Sequence, residues 1–333
     1  MCEVIPLLKN IPVSVLDLVT IAEGQTTTEA FQRSRNLAVL ADELGYERYW
    51  VAEHHNSRAI ASSATAVVIS YLANATKKIR LGSGGIMLPN HAPLIVAEQF
   101  GTLDAMFPNR IDLGLGRAPG TDPFTARALR RRDAEDFEHN IEELERYLIH
   151  AKETDHIKAY PGFGANIPLW LLGSSLFSAE LAARRGMPYA FASHFAPDYL
   201  MQAIDIYRTQ FRPSEVLEKP RMLACVNVII AETDEEAQKL ATTHYQLFLS
   251  IIRRTHDLLQ PPVDDMDEIW TPFEKQAVLQ QRQYMFVGNQ QTVKEQLEKF
   301  VADTQVDELM VTASIYDEEA RAKSFTLLKE LFE

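Results

Sequence analysis

IRLGSGGIMLPNHAPLIVAEQFGTLDAMFPNRIDLGLGR, residues 79–117, reads as strand, loop, helix and strand. The segment 79–83 is short and apolar and runs into glycines. Pro93 stands where a first helical turn can begin, and 94–106 carries apolar residues at helical spacing. Pro108-Asn109 ends that helix, and 111–116 is a second short strand. Such a unit implies two parallel strands joined by a right-handed crossover.

Five of the chain's 14 glycines sit at the carboxyl ends of these two strands: Gly82, Gly84, Gly85, Gly114 and Gly116. Glycine weakens a strand, so its repeated use points to a strained backbone or to something packed close against it. Side chains alternate along a strand, so Gly82 and Gly84 share a face, as do Gly114 and Gly116. A flat ring lying over the strand ends would need that bare surface, and Arg117 follows as a fixed cation suited to a phosphate. The alternative is a tightly packed barrel interior, with Arg117 in a surface salt bridge.

Working outward, 12–19 is a first strand, and Thr26 to Thr28 can cap a helix that runs to Leu44 and stops at Gly45. A second strand, 49–53, ends in Glu53-His54-His55-Asn56, and 62–74 is a helix of small residues. After the fourth strand, 117–132 is a loop grading into a basic segment, and 133–152 is an acidic amphipathic helix. A glycine-rich loop covers 160–166. Strands follow at 168–172, 189–192 and 223–231, separated by helices at 178–185 and 197–211. Then the pattern departs from a short connection: 233–259 is helical, 260–271 contains Pro261-Pro262, and 273–285 is a further helix candidate. A helix at 292–303, an eighth strand at 308–312 and a closing helix at 318–333 complete the chain. Eight strands alternating with helices, with no composition break, predict one domain over residues 1–333. Its fold class is α/β, a (β/α)8 TIM barrel with an insertion after strand seven.

The 333 residues are 46% hydrophobic, enough for a large core, and the net charge of -13 argues against binding a nucleic-acid backbone. No basic-then-apolar leader opens the sequence and no 18-residue apolar run occurs, so neither a secretory signal nor a membrane span is expected. Two cysteines, Cys2 and Cys225, cannot make a disulfide framework; Cys2 lies near a frayed terminus and Cys225 reads as a buried thiol. A cytoplasmic protein is expected.

A barrel places its chemistry at the carboxyl ends of its strands, where the candidates cluster. Adjacent His54 and His55 on a strand face opposite ways, so the pair does not supply two ligands to one metal, and no metal site is expected. One histidine acting as acid/base or hydrogen-bond donor to a ring fits better, beside the alternative of a purely structural role. Gly173-Ser174-Ser175 lies between a strand and a helix, where hydroxyls and free amides form an anion site or a simple N-cap. Arg127, Arg130, Arg131 and Arg132 either reach a phosphate or line a solvated helix face. No GxSxG elbow is present. GLGRAP at Gly114 fails the dinucleotide pattern at Pro119, so serine hydrolysis and a Rossmann site find no support.

Together, Ala52-Glu53-His54-His55, LGSGGIMLPNHAP at 81–93, RIDLGLGR at 110–117 and the Ser174-Ser175 turn resemble the bacterial luciferase-like flavin monooxygenase family. The similarity runs over nearly the whole chain and is strongest toward single-chain members of unassigned substrate. It implies a barrel, usually a homodimer, that binds FMN at its mouth. Reduced FMN, from a separate NAD(P)H:flavin reductase, would react with O2 through a C4a-(hydro)peroxyflavin to oxidise a small organic substrate. His54 matches the active-site histidine, with Glu53 beside it among the cofactor-binding positions. Gly84-Gly85 matches a non-proline cis dipeptide beneath the ring; Arg117, Ser175 and Arg127 match groups at the phosphate, with Ser174 beside them among the cofactor-binding positions. Residues 233–289 correspond to a mobile insertion that could shield the flavin from water. Gly116 stands where luciferase has a reactive cysteine and Ser174 where it has a glutamate, so light emission is not expected. Other branches use the deazaflavin F420, leaving an F420-dependent oxidoreductase or a flavin-binding protein without turnover as alternatives.

Overall fold

The computed structural model describes residues 7–131 and 134–333. Cys2, Arg132 and Asp133, the first residue expected of the acidic helix, lie outside that range. The chain alternates strands and helices from its start: β1 (Val13–Asp17), α1 (Thr27–Glu43), β2 (Arg48–Val51), α2 (Thr65–Ala75), β3 (Arg80–Met87), α3 (Pro93–Met106) and β4 (Ile111–Gly116). Next come α4 (Pro123–Ala128), α5 (Phe137–Tyr147), β5 (Leu169–Gly173), α6 (Leu176–Arg185), β6 (Tyr189–Phe191), α7 (Leu200–Gln210) and β7 (Met222–Ile230). The chain finishes with α8 (Asp234–Arg253), α9 (Pro272–Gln280), β8 (Met285–Gly288), α10 (Gln290–Thr304), β9 (Glu308–Thr312) and α11 (Glu318–Glu330).

Local chemistry sets these limits. Thr26 and Glu29 form a reciprocal capping box at the start of α1. Gly186, at φ 63°, supplies the left-handed residue that ends α6. The strands pair in parallel from β1 to β6, β6 pairs with β7, β7 with β9, and β9 returns to β1. This is a closed eight-stranded (β/α)8 barrel, as the alternation predicts.

The ninth strand was not expected. The sequence makes 273–285 a helix candidate, but the helix stops at Gln280 and Met285–Gly288 pairs instead with Asn227–Ile230 of β7. At nine residues, β7 is long enough to close the barrel through its first half and carry β8 outside it through its second. A four-residue buried apolar run cannot be told from a helix end by periodicity alone. The short α4, capped by Asp122 through the Phe124 and Thr125 N–H groups, also lies in what read as loop.

Two apolar layers hold the barrel. Inside it, Leu16, Trp50, Trp170, Leu223, Cys225 and Met310 pack together, the two indoles edge to face at 5.5 Å. Cys225 is the buried thiol the sequence indicated, its pKa pushed up by burial. The second layer lies between strands and helices. At the amino end of the strands the interior turns ionic. The Arg48 guanidinium, 3% exposed, donates to Asp112 at 2.6 Å and to Glu308 at 2.6 and 3.0 Å. Among the described residues, no helix is long and apolar enough to cross a membrane.

Candidate active site

At the carboxyl end of β2 the backbone delivers Glu53, His54 and His55 in turn, and the three go different ways. Glu53 is fully buried and both its carboxylate oxygens are engaged. Oε2 accepts the Met87 N–H at 2.9 Å, and Oε1 accepts Asn90 Nδ2 at 3.2 Å and meets His55 Nε2 at 2.7 Å. His91 Nε2 lies 3.0 Å from each oxygen. Burial alone would raise the Glu53 carboxyl; His91, His55 and the Met87 N–H outweigh it and hold the pKa below the usual value.

Glu53 therefore joins the loops that follow β2 and β3, and neighbouring bonds extend the join to the loop after β4. The His55 N–H donates to Gly120 O at 3.0 Å, Thr121 Oγ1 to His55 O at 3.0 Å, and Asn90 Nδ2 to Pro119 O at 3.0 Å. Arg131 bridges onward, reaching Asn90 Oδ1 at 3.3 Å and Arg117 O at 2.7 Å. No sequence spacing announced this cluster. Glu53 and His55 are two apart on an extended segment and so share a side, but His91 arrives from a separate loop.

His54 points elsewhere. Its N–H donates to Ser62 O at 2.9 Å, while Nδ1 is buried without a partner among the described residues. Burial lowers its pKa, so the ring stays neutral at pH 7. Two further histidines that the sequence did not single out share this character. His194, in the segment after β6, is pushed down to about 3, by burial first and then by His244 and His54; His244, on α8, is pushed down to about 4, by burial and then Arg282. Both also carry a buried Nδ1 with no partner among the described residues. Of the three, His194 lies where a charge on either His244 or His54 would disfavour its own. The insertion that supplies His244 is pinned to the loop after β1: the Leu259 N–H donates to Ile21 O at 2.9 Å, and the Glu23 N–H to Leu259 O at 2.8 Å.

Arg117, just past β4, places its guanidinium 4.0 Å from the ring centre of Phe177, in the first turn of α6. Ser175 stands at the N-cap position with extended backbone, yet its hydroxyl caps nothing. The simple N-cap is therefore not what this serine does. Its carbonyl accepts the Ser178 hydroxyl at 2.8 Å. Ser174 precedes it in the same turn. Arg127, on α4, is exposed and makes no side-chain hydrogen bond among the described residues. The fold thus brings Arg117 onto Phe177, two residues past Ser175, and leaves Arg127 exposed.

The Gly84-Gly85 peptide is cis, and the β3–β4 register shifts between Ser83 and Ile86. A Cβ at Gly84 would lie 2.7 Å from Leu16 Cδ1, one at Gly85 2.7 Å from Gly114 O, and one at Gly114 2.2 Å from Ser83 O. At Gly85 and Gly114 the obstacle is backbone, so the protein's own packing demands glycine there, whereas at Gly84 it is a leucine methyl that can move. The tightly packed interior weighed from the sequence is what the glycines serve here, whatever else approaches the strand ends.

The profile of luciferase-like monooxygenases matches residues 11–308. The chain belongs to that family. It is 50% identical to an uncharacterized Bacillus subtilis protein, YvbT, with 97% of each chain covered, and 48% identical to a luciferase-like monooxygenase of Escherichia coli strain K12, with 98% of each covered. Among solved structures, apo-MsnO8 superposes with a TM-score of 0.86 at 36% identity, covering 97% of this chain and 98% of that one. Further away, the N-acetyl-S-alkylcysteine monooxygenase of B. subtilis is 30% identical over 96% of this chain and 98% of its own. Two structures under 20% identical share the fold alone: the FMN complex of the oxygenating constituent of a Pseudomonas putida 3,6-diketocamphane monooxygenase, at TM-score 0.76, and an F420-dependent secondary alcohol dehydrogenase, at 0.72.

Proposed function

We propose that this family member is a flavin-dependent monooxygenase that uses reduced FMN and O2 to oxidise a small organic substrate. The observation that carries the reading is Arg117 laid over Phe177 at the amino end of α6, beside a Ser175 hydroxyl with no capping role. A fixed guanidinium, free backbone N–H groups and an uncommitted hydroxyl form a donor set that fits the FMN phosphate. Ser174 adds a second hydroxyl, and Arg127 can swing in from solvent. Gly84 and Gly85 are assigned beneath the ring, on the resemblance.

When bound, reduced FMN supplies the electrons and the activation of O2. The chain's own residues then have distinct tasks. His54, kept neutral by burial, can take up or return a proton at the reacting centre. Glu53 acts at one remove, fixing the Met87 amide and the loops around the cofactor position. The insertion, tied down at Leu259, limits water at the mouth. Reduced flavin is proposed to come from a separate NAD(P)H:flavin reductase. A cytoplasmic homodimer completes the reading.

The test is anaerobic titration with reduced FMN, then mixing with O2 while absorbance is recorded. A transient spectrum unlike reduced or oxidised FMN, altered in lifetime by His54→Ala, supports the proposal. N-acetyl-S-alkylcysteines head the substrate panel because of the named relative. Tight flavin binding without O2-dependent turnover on that panel would make the protein a flavin carrier, and preference for F420 would make it a hydride-transfer enzyme.

A further inference from the structure

The Glu53 cluster offers chemistry that the flavin reading does not use. We propose that Glu53, His55 and His91 form a binding site for a first-row divalent cation, of the zinc or cobalt type, which clamps the loops after β2 and β3.

The three donor atoms lie within 4.8 Å of one another. Glu53 Oε1 is 2.7 Å from His55 Nε2 and 3.0 Å from His91 Nε2. Bonds of about 2.1 Å from one tetrahedral cation to nitrogen and oxygen hold neighbouring donors about 3.4 Å apart, so the two imidazoles need draw back from Oε1 by well under about 1 Å. The three donors converge closely enough for a small movement of the two rings to admit an ion. Two imidazoles and one carboxylate form a donor set that first-row metals take, leaving open positions to water.

The Glu53 carboxylate gathers four donors, the Met87 N–H, Asn90 Nδ2, His55 Nε2 and His91 Nε2, the last shared between its two oxygens, so its about four lone-pair sites are all in use. Each imidazole helps only if its Nε2 carries a proton. A cation among them would take a lone pair from each ring in place of those two hydrogen bonds.

The frame is rigid and open on one side. Glu53 is held at the barrel wall, the His55 N–H is tied to Gly120 O, and the His91 N–H to Leu88 O at 3.0 Å. The His55 and His91 side chains are 15% and 26% exposed, which gives an ion a way in. Arg131 engages Asn90 Oδ1, so Asn90 remains a second-layer donor to the carboxylate and not a ligand. His54, facing away, takes no part.

The experiment uses the full-length, untagged protein, stripped with chelator and exchanged into chelator-free buffer with no flavin added. Co2+ and Zn2+ are titrated in turn, followed by calorimetry and by the visible Co2+ bands. One equivalent per chain is expected for either metal, with a rise in melting temperature. His91→Ala and Glu53→Gln should weaken binding at least about tenfold, while His139→Ala, on the surface of α5, should not. Wild-type protein that takes up neither metal overturns the proposal without recourse to any variant. So does binding of equal strength in wild type and His91→Ala. Because flavin is absent, failure here leaves the monooxygenase reading standing, and failure of that reading leaves this one.

Discussion

Replacing Arg117 by alanine tests the cofactor site through a difference that misfolding cannot imitate. The guanidinium rests on Phe177 and faces the turn whose Ser175 hydroxyl caps nothing. A hydrogen bond to a charged group contributes about 1.5–3 kcal/mol, and each 1.4 kcal/mol is about tenfold in affinity. Arg117→Ala should therefore weaken FMN binding by about 10- to 150-fold. Riboflavin has the same ring and no phosphate, so its affinity should be unchanged. Phe177→Ala removes only the shelf beneath the guanidinium. A cation–π contact at a partly exposed site is worth about 0.5–1 kcal/mol, so the expected loss is about two- to fivefold. Arg117→Lys keeps the charge but not the planar stacking, and should fall between the two. The assay is quenching of flavin fluorescence on titration with each variant. Equal losses for FMN and riboflavin, or none for FMN, would refute the assignment of the phosphate to this turn.

Other expectations concern the frame that holds the site. Arg48→Met removes the buried cation shared by Asp112 and Glu308 but leaves Arg80 on Asp112 and Arg221 on Glu308, so it should cost about 3 kcal/mol, the low end for a broken buried pair, read as a lower denaturant midpoint with unchanged slope; a loss under about 1 kcal/mol would remove the network from the account of stability. His194 and His244 stay neutral in the folded chain down to about 3 and about 4, whereas the unfolded chain protonates them near 6.5. Their contribution is thus complete above that pH and is lost as pH falls. Stability should drop by about 2 kcal/mol per histidine between pH 7 and 5. Unfolding curves at the two pH values check this, and a flat response would show that these rings titrate normally. At Gly114, an added Cβ would sit 2.2 Å from Ser83 O, so Gly114→Ala must spread β3 from β4; soluble protein with native melting temperature would contradict that packing.

Much of this protein is legible in the linear chain because the signals are local. Alternating strands and helices, Pro93 opening α3, the capping pair Thr26 and Glu29 and the stop at Gly186 each depend on residues within a few positions. Parallel strands joined by helices leave few ways to close, so the eight-stranded barrel and its insertion follow. The motifs at strand ends carried the family resemblance for the same reason: a barrel turns sequence position at a strand end into a place at its mouth. What depends on chain segments far apart could not be read that way. Only the fold brings His91 to Glu53 and His55, lays Arg117 on Phe177, and sets His244 of the insertion near His194. Only pairing along the full length of β7 turns Met285–Gly288 into a strand. Whether a glycine clears space for a ligand or for a neighbouring strand is likewise a matter of distance: Gly85 lies against Gly114, 29 positions along the chain. Periodicity reports which face of an element is buried; it does not report what the other element brings to meet it.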